Sequence, residues 1–380
     1  MSNPNSSLAD ERLAQLESYL AADPDNAELL AFAATEALRI VAPQQALRLL
    51  NTYGKSGAPT APLGLLRGVT IYHLSGPGEA LGLFTAIAEA FPASEEARTA
   101  TYMSARCLYE LEDFEAAFEL LDAFGSRFPN PEAAELFVRA GLKLHRPSAV
   151  LETGRAYLQR SDAHPRVLGL LSGVALDEED SALARQFAEA AGDDGLAKVT
   201  WGFLCLEADR TEEAERLFSA RLAEDPQDGR ACIGSGVCAL IQRDYAKAAV
   251  QFDTAAHVFQ THLGAWIAAG WMDLVQDRAA AARAKFEVAA DLEPGFAEAQ
   301  GALAVCAILE GDVDGGRRRT EIALRLDRRC LSGALARTLL LTMDGKADAA
   351  QALRQRALEA PLNLSGRSIF AFMQKFGWIE

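Results

Sequence analysis

From Gly202 to Pro294 the chain repeats itself every 34 residues, and a fixed period of that length restricts the fold more than any single side chain does. Small residues recur at Gly202, Gly236 and Gly270, and again at Ala214, Ala248 and Ala282. Phe218, Phe252 and Phe286 keep the same step, and Pro226 and Pro294 stand two periods apart. One supersecondary unit is therefore stacked on copies of itself, and the unit reads as two helices. The composition agrees: half the residues are hydrophobic, only 8% are aromatic, and Ala and Leu are abundant, as close helix packing through small side chains requires. A repeat array is one quasi-one-dimensional body, so 380 residues do not have to divide into several globular domains.

The summed charge narrows the partners. A formal net charge of −16 and a pI near 4.9 repel a phosphate backbone or an anionic membrane, so nucleic acid and lipid headgroups are not expected ligands. Acidity of this kind serves solubility and also favours a basic or amphipathic protein segment. Met1 to Ser7 show neither the basic nor the apolar region of a secretory leader, and no run approaches the ~18 apolar residues of a membrane span. The six cysteines form no Cys-x-x-Cys pair, and Cys107, Cys238 and Cys306 share one repeat position that wants a small buried residue. A cytoplasmic location follows as the expectation. The excess of arginine over lysine suggests GC-rich codons and a bacterial source.

With Leu263 as position one, Trp266 falls at four, Gly270 at eight, Ala282 at twenty, Phe286 at twenty-four, Ala289 at twenty-seven and Pro294 at thirty-two. This resembles the tetratricopeptide repeat, although position seven is Ala269 and position eleven is Asp273, where the family pattern has Leu and an aromatic. Gly270 and Ala282 are small so that the two helices of a unit, A and B, can cross closely, and Phe286 fills the space toward the next unit. Pro294 stops helix B. Related units start near Gly195, Gly229, Ala297 and Cys330, with Thr320 replacing the aromatic in the Ala297 unit. Looser copies lie upstream, including Gly68, Ala80 and Phe84, and segments 131–162 and 164–192 read as shorter, degenerate helix pairs. The resemblance implies an all-α, right-handed superhelical solenoid of antiparallel helix pairs with about ten repeats. The expected organisation is 1–192 as degenerate repeats behind an N-terminal helix, 193–362 as regular repeats, and 363–380 as a C-terminal capping helix. The aromatic segment Ser368–Ile379 either packs over the last repeat or serves as a docking tail through which a homo-oligomer could form.

No constellation for catalysis, metal or cofactor emerges. The five histidines do not pair at ligand spacing, and Gly234-Ser235-Gly236 lies within a helix with no strand before it, so it reads as packing rather than as a phosphate loop. The chain is not expected to be an enzyme. By resemblance, positions two, five, nine, twelve and thirteen of each A helix face the ligand. Here those positions include Val199, Phe203, Leu206, Ile233, Val237, Leu240, Ile267, Trp271, Leu274, Val305 and Ile308, a mostly apolar set. Members of the family that clamp a peptide carboxylate need Lys and Asn at five and nine, which this chain lacks. An apolar stripe suits an amphipathic helix laid in a groove, and equally suits packing against neighbouring units. The N-terminal half offers Tyr72, Tyr102, Arg106 and Tyr109 instead. The expected function is a scaffold or adaptor binding a protein or peptide segment, with assembly of a secretion, pilus or surface-polysaccharide apparatus as the family analogy. A regulatory protein that senses a small ligand or controls a catalytic partner is the alternative.

Overall fold

A computed structural model describes residues 4–53 and 60–359. The expected helix over 363–380 and the segment Ser368–Ile379 lie outside the described residues. Twenty-one α-helices, and no strand, make up the described chain. They begin with α1 (Pro4–Ala22), α2 (Ala27–Arg39), α3 (Pro43–Tyr53), α4 (Ala61–Ser75), α5 (Pro77–Ala90), α6 (Glu95–Glu110) and α7 (Phe114–Asp122). Next come α8 (Pro131–Lys143), α9 (Pro147–Leu158), α10 (Pro165–Asp177), α11 (Ser181–Ala191), α12 (Gly195–Glu207), α13 (Thr211–Glu224) and α14 (Gly229–Ile241). The last are α15 (Tyr245–Phe259), α16 (Leu263–Val275), α17 (Ala279–Leu292), α18 (Ala297–Leu309), α19 (Val313–Leu326), α20 (Leu331–Met343) and α21 (Ala347–Glu359). After α1 they pair as A and B helices, ten times over, joined by turns so short that the two members run antiparallel. The chain divides between Ala197 and Lys198 into two compact units.

Polar punctuation starts the helices. Asn26, Ser94, Asp113, Asn130, Asp180, Asp228, Asp244 and Asp312 each accept a hydrogen bond from the amide three residues on, which satisfies a donor that the helix itself leaves open. Between A and B helices one residue enters the left-handed region: Asp209, Arg243 and Asp277 at φ 59–64°, then Gly311 and Gly345 at 90° and 73°. The A-to-B turn at Asp277 thus forms without glycine, with Asp supplying the conformation that glycine supplies in later units.

In the first unit, Leu13, Leu16 and Leu20 of α1 pack with Leu30, Ala33, Ala34, Leu49 and Leu50 of α2 and α3. Phe84 is fully buried, and a Cβ at Gly68 would strike its ring, so α4 and α5 cross there with the glycine against the aromatic of the same pair. The pairs over 131–191 have shorter B helices, 12 residues in α9 and 11 in α11 against 14 in α13 and 15 in α15. Their cores use other fillings: Phe137 stacks on Phe118 at 4.8 Å, and Gly154 faces Leu171 and Phe187.

In the second unit the repeat contact is explicit. Gly202 faces Phe218, Gly236 faces Phe252 and Gly270 faces Phe286, and in each pair an added Cβ would overlap the ring. Gly234 also meets Phe218, so one ring closes its own pair and seats the next A helix. The packing reading of Gly234-Ser235-Gly236 holds, since Ser235 bonds Glu215 at 3.3 Å while its flanking glycines receive Phe218 and Phe252. Position eleven of α16, where sequence analogy calls for an aromatic, holds a buried carboxylate that anchors an ion cluster. Asp273, 3% exposed, takes Arg278 at 2.6 Å and Lys285 at 2.7 Å, and Lys285 reaches Asp253 of α15 at 2.6 Å. Charge therefore ties α15, α16 and α17 where an aromatic would otherwise pack.

Candidate functional site

The apolar positions on the A helices of the second unit fall into two groups. Val199, Val305 and Ile308 are buried, at 3%, 2% and 6% exposure, and belong to cores between helices, so they pack the repeat and present no surface. Phe203, Leu206, Ile233, Val237, Leu240, Ile267, Trp271 and Leu274 are half-buried: one side lies against a core and the other meets solvent. Helical spacing brings them to one side of α12, α14 and α16, because residues three or four apart share a face. Phe203 is pinned edge-on to Phe218 at 5.1 Å, with the Arg230 guanidinium 5.9 Å from its ring centre. Trp271 sits 5.5 Å from Phe286 and also packs against the α14–α16 core and the α18–α20 core. Both aromatics are thus preoriented by their own repeats, which lowers the entropy cost of using them as contact surface.

The first unit carries a polar and aromatic face instead. Arg106 of α6 lies over the Tyr72 ring of α4 at 5.0 Å and gives its Nε–H to Glu110 at 3.1 Å. The Tyr72 hydroxyl donates to the same Glu110 oxygen. Burial, with that hydrogen bond, pushes the Tyr72 phenol up to about 12, and burial raises Tyr102 as well, so both stay neutral donors at physiological pH. Tyr72, Tyr102 and Arg106 are brought together, whereas Tyr109 turns away to Phe114 at 5.1 Å. The residue that organises the cluster, Glu110, is absent from the sequence-derived set, although its i+4 spacing from Arg106 is the signal that marks such a pair. Glu135 of α8 carries the polar strip onward, binding Arg166 of α10 at 2.8 Å and Arg139 at 3.3 Å.

All six cysteines are buried and outside disulfides, and burial pushes the thiols of Cys107, Cys232 and Cys306 up to about 11 and those of Cys238 and Cys330 up to about 12, far from a reactive thiolate. Among the described residues no three His, Cys, Asp or Glu side chains are grouped to hold a metal ion. No described helix is long and apolar enough to cross a membrane.

This stack of helix pairs defines a class. The chain has a tetratricopeptide-repeat-like fold, an all-α solenoid of helix pairs. Two structures of an IFIT1 monomeric mutant, one with Gppp-AAAA and one with m7Gppp-AAAA, share the fold at 12% and 13% identity, covering 92% of this chain and 95% of theirs with a TM-score of 0.50. A tetratricopeptide repeat protein from Parabacteroides merdae is 14% identical over 65% of this chain and 98% of its own, with a TM-score of 0.49. No family model and no curated protein matches the sequence. At such identities the likeness is one of fold.

Proposed function

We propose that the chain is a non-enzymatic scaffold or adaptor that receives an apolar or amphipathic protein segment along α12, α14 and α16. The observation that carries this is the row of eight half-buried apolar side chains anchored at its two ends by Phe203 and Trp271, each held by a repeat phenylalanine. Rigid aromatics beside aliphatic neighbours are the usual anchors of an interface. An amphipathic helix offers the matching i, i+3, i+4 stripe. The IFIT1 structures hold capped oligonucleotides, but a net charge of −16 opposes a phosphate backbone here, so the reading is a protein segment. Assembly of a secretion, pilus or surface-polysaccharide apparatus is the setting suggested by analogy with the repeat family.

The test is affinity isolation from the native cell with wild type and with the Phe203→Ala, Trp271→Ala double variant, circular dichroism serving as the check on helical content. A protein held by wild type and lost from a still helical variant is the expected result. Equal retention by both forms would remove these A helices as the binding face.

A further inference from the structure

In the first unit an open depression of about 450 Å³ lies among the start of α6, the α7–α8 linker and the end of α9. Three arginines converge on it, Arg98, Arg127 and Arg160, on a protein whose net charge is strongly negative. Two of them are fixed in place. The Arg98 guanidinium donates to the carbonyl of Arg127 and lies 5.5 Å from the Phe124 ring centre. Arg160 donates to the carbonyl of Ser126, holds Asp162 through two hydrogen bonds of 2.8 and 2.6 Å, and lies beside the Tyr157 ring. The third, Arg127, is exposed and has no ion-pair partner among the described residues.

The linkers between α11 and α12 and between α13 and α14 carry Asp193 and Asp194, and Asp225 and Asp228, while the α19–α20 linker carries Arg328 and Arg329 beside Asp327. What sets the first-unit site apart is the depression that brings Arg98 of α6 together with the linker arginines Arg127 and Arg160. The lining holds three guanidiniums and no carboxylate, Asp162 being the ion-pair partner of Arg160, and guanidinium N–H groups suit tetrahedral oxyanions. Holding Arg98 and Arg160 by backbone carbonyls preorganises two of the three before any ligand arrives.

We propose that this depression binds a phosphate dianion, presented on a phosphorylated side chain of a protein segment or free as inorganic phosphate. Arg127 supplies the uncommitted cation and the preset Arg98 and Arg160 supply the cradle. The site is separate from the apolar face of α12–α16 and does not depend on the reading given to that face.

The full chain is titrated calorimetrically at constant ionic strength with inorganic phosphate, with a short phosphoserine peptide and with its unphosphorylated twin. Wild type, Arg127→Gln and a control, Arg318→Gln in α19, are compared. Arg127 makes no side-chain bond that the fold needs, so its variant isolates binding from folding, and a thermal melt confirms it. The expected result is binding of the phosphorylated peptide weakened about tenfold or more by Arg127→Gln and untouched by Arg318→Gln. Inorganic phosphate binding with the same sensitivity assigns the site to the free ion, and binding of the phosphopeptide alone assigns it to a modified protein. No binding of either phosphate probe, equal binding of the unphosphorylated twin, or equal loss in both variants would overturn the proposal.

Discussion

The pairs from α12 to α17 and the neighbouring set α18–α20 solve the same packing problem in different ways. In the former, each A helix offers a glycine and each B helix a phenylalanine, so Gly202, Gly236 and Gly270 receive Phe218, Phe252 and Phe286. In the latter, the aromatic position holds Thr320, whose hydroxyl bonds the Gly316 carbonyl at 2.7 Å, and Gly316 closes directly on Ile308. With less bulk between A and B, the close approach moves to A against A: a Cβ at Gly301 would overlap the Ser332–Gly333 backbone. Glu298 then bonds the amides of Leu331 and Ser332, at 2.6 and 3.0 Å, and caps α20 from its neighbour. The repeat requires that each gap be filled, by a ring in one place and by backbone proximity in another.

The largest expected effect breaks the first solution. Phe286 is fully buried against Gly270 and Trp271, so Phe286→Ala should cost about 4 kcal/mol in urea unfolding, through lost burial and the cavity left behind. A cost below about 1 kcal/mol would mean that the ring is not what closes the pair.

The members of that contact were readable in the sequence because they recur at a constant step, and so was the pairing of helices, but the ring was expected toward the next unit and seats on the glycine of its own pair. The buried Asp273 cluster was readable only as a departure from the pattern, since its partners Arg278, Lys285 and Asp253 lie 5, 12 and 20 residues away with no periodic mark. The A-helix face was half legible. Spacing placed all eleven apolar residues on one stripe, but burial of Val199, Val305 and Ile308 depends on how closely neighbouring helices approach, which at α18 is decided by its own Gly301 against α20 and by Gly316 of α19. Glu110 escaped because it acts across helices, on Tyr72 38 residues away.

The Asp273 cluster sharpens the comparison next, because α18 carries Ala307 at the same repeat position and has no such charge. Burial alone would raise the Asp273 carboxyl, but Lys285 and Arg278 outweigh it and hold it below its ordinary 3.8. Its contribution is thus fully present above about pH 4 and is lost as pH falls through the lowered folded value, where the unfolded chain binds the proton more readily. Asp273→Asn should cost about 2–3 kcal/mol at pH 7, near the low end for a broken buried pair because Arg278 is half exposed. Below pH 3.8 the gap to wild type should narrow, and a gap independent of pH would show that the loss is one of packing rather than charge.

The smallest effect tests whether the repeat consensus or the local filling governs stability. If the consensus governed, Thr320→Phe would restore the missing aromatic of α19 and stabilise the chain. The structure argues the reverse. Thr320 is 1% exposed, Gly316 already lies against Ile308 and the Ala304 carbonyl, and α18 is buried from Gly301 through Ile308. A ring has no gap to enter and must push α19 off α18, which would also strain the Glu298 bonds to α20. The substitution should therefore destabilise by about 1–3 kcal/mol, the usual cost of overpacking, and it should do so while Phe286→Ala in the adjacent pair destabilises by emptying the equivalent space. Opposite changes in volume with the same sign of effect, measured by urea unfolding of the two variants, would establish that neighbouring repeats are filled to different designs; a stabilised Thr320→Phe chain would return α18–α20 to the common one.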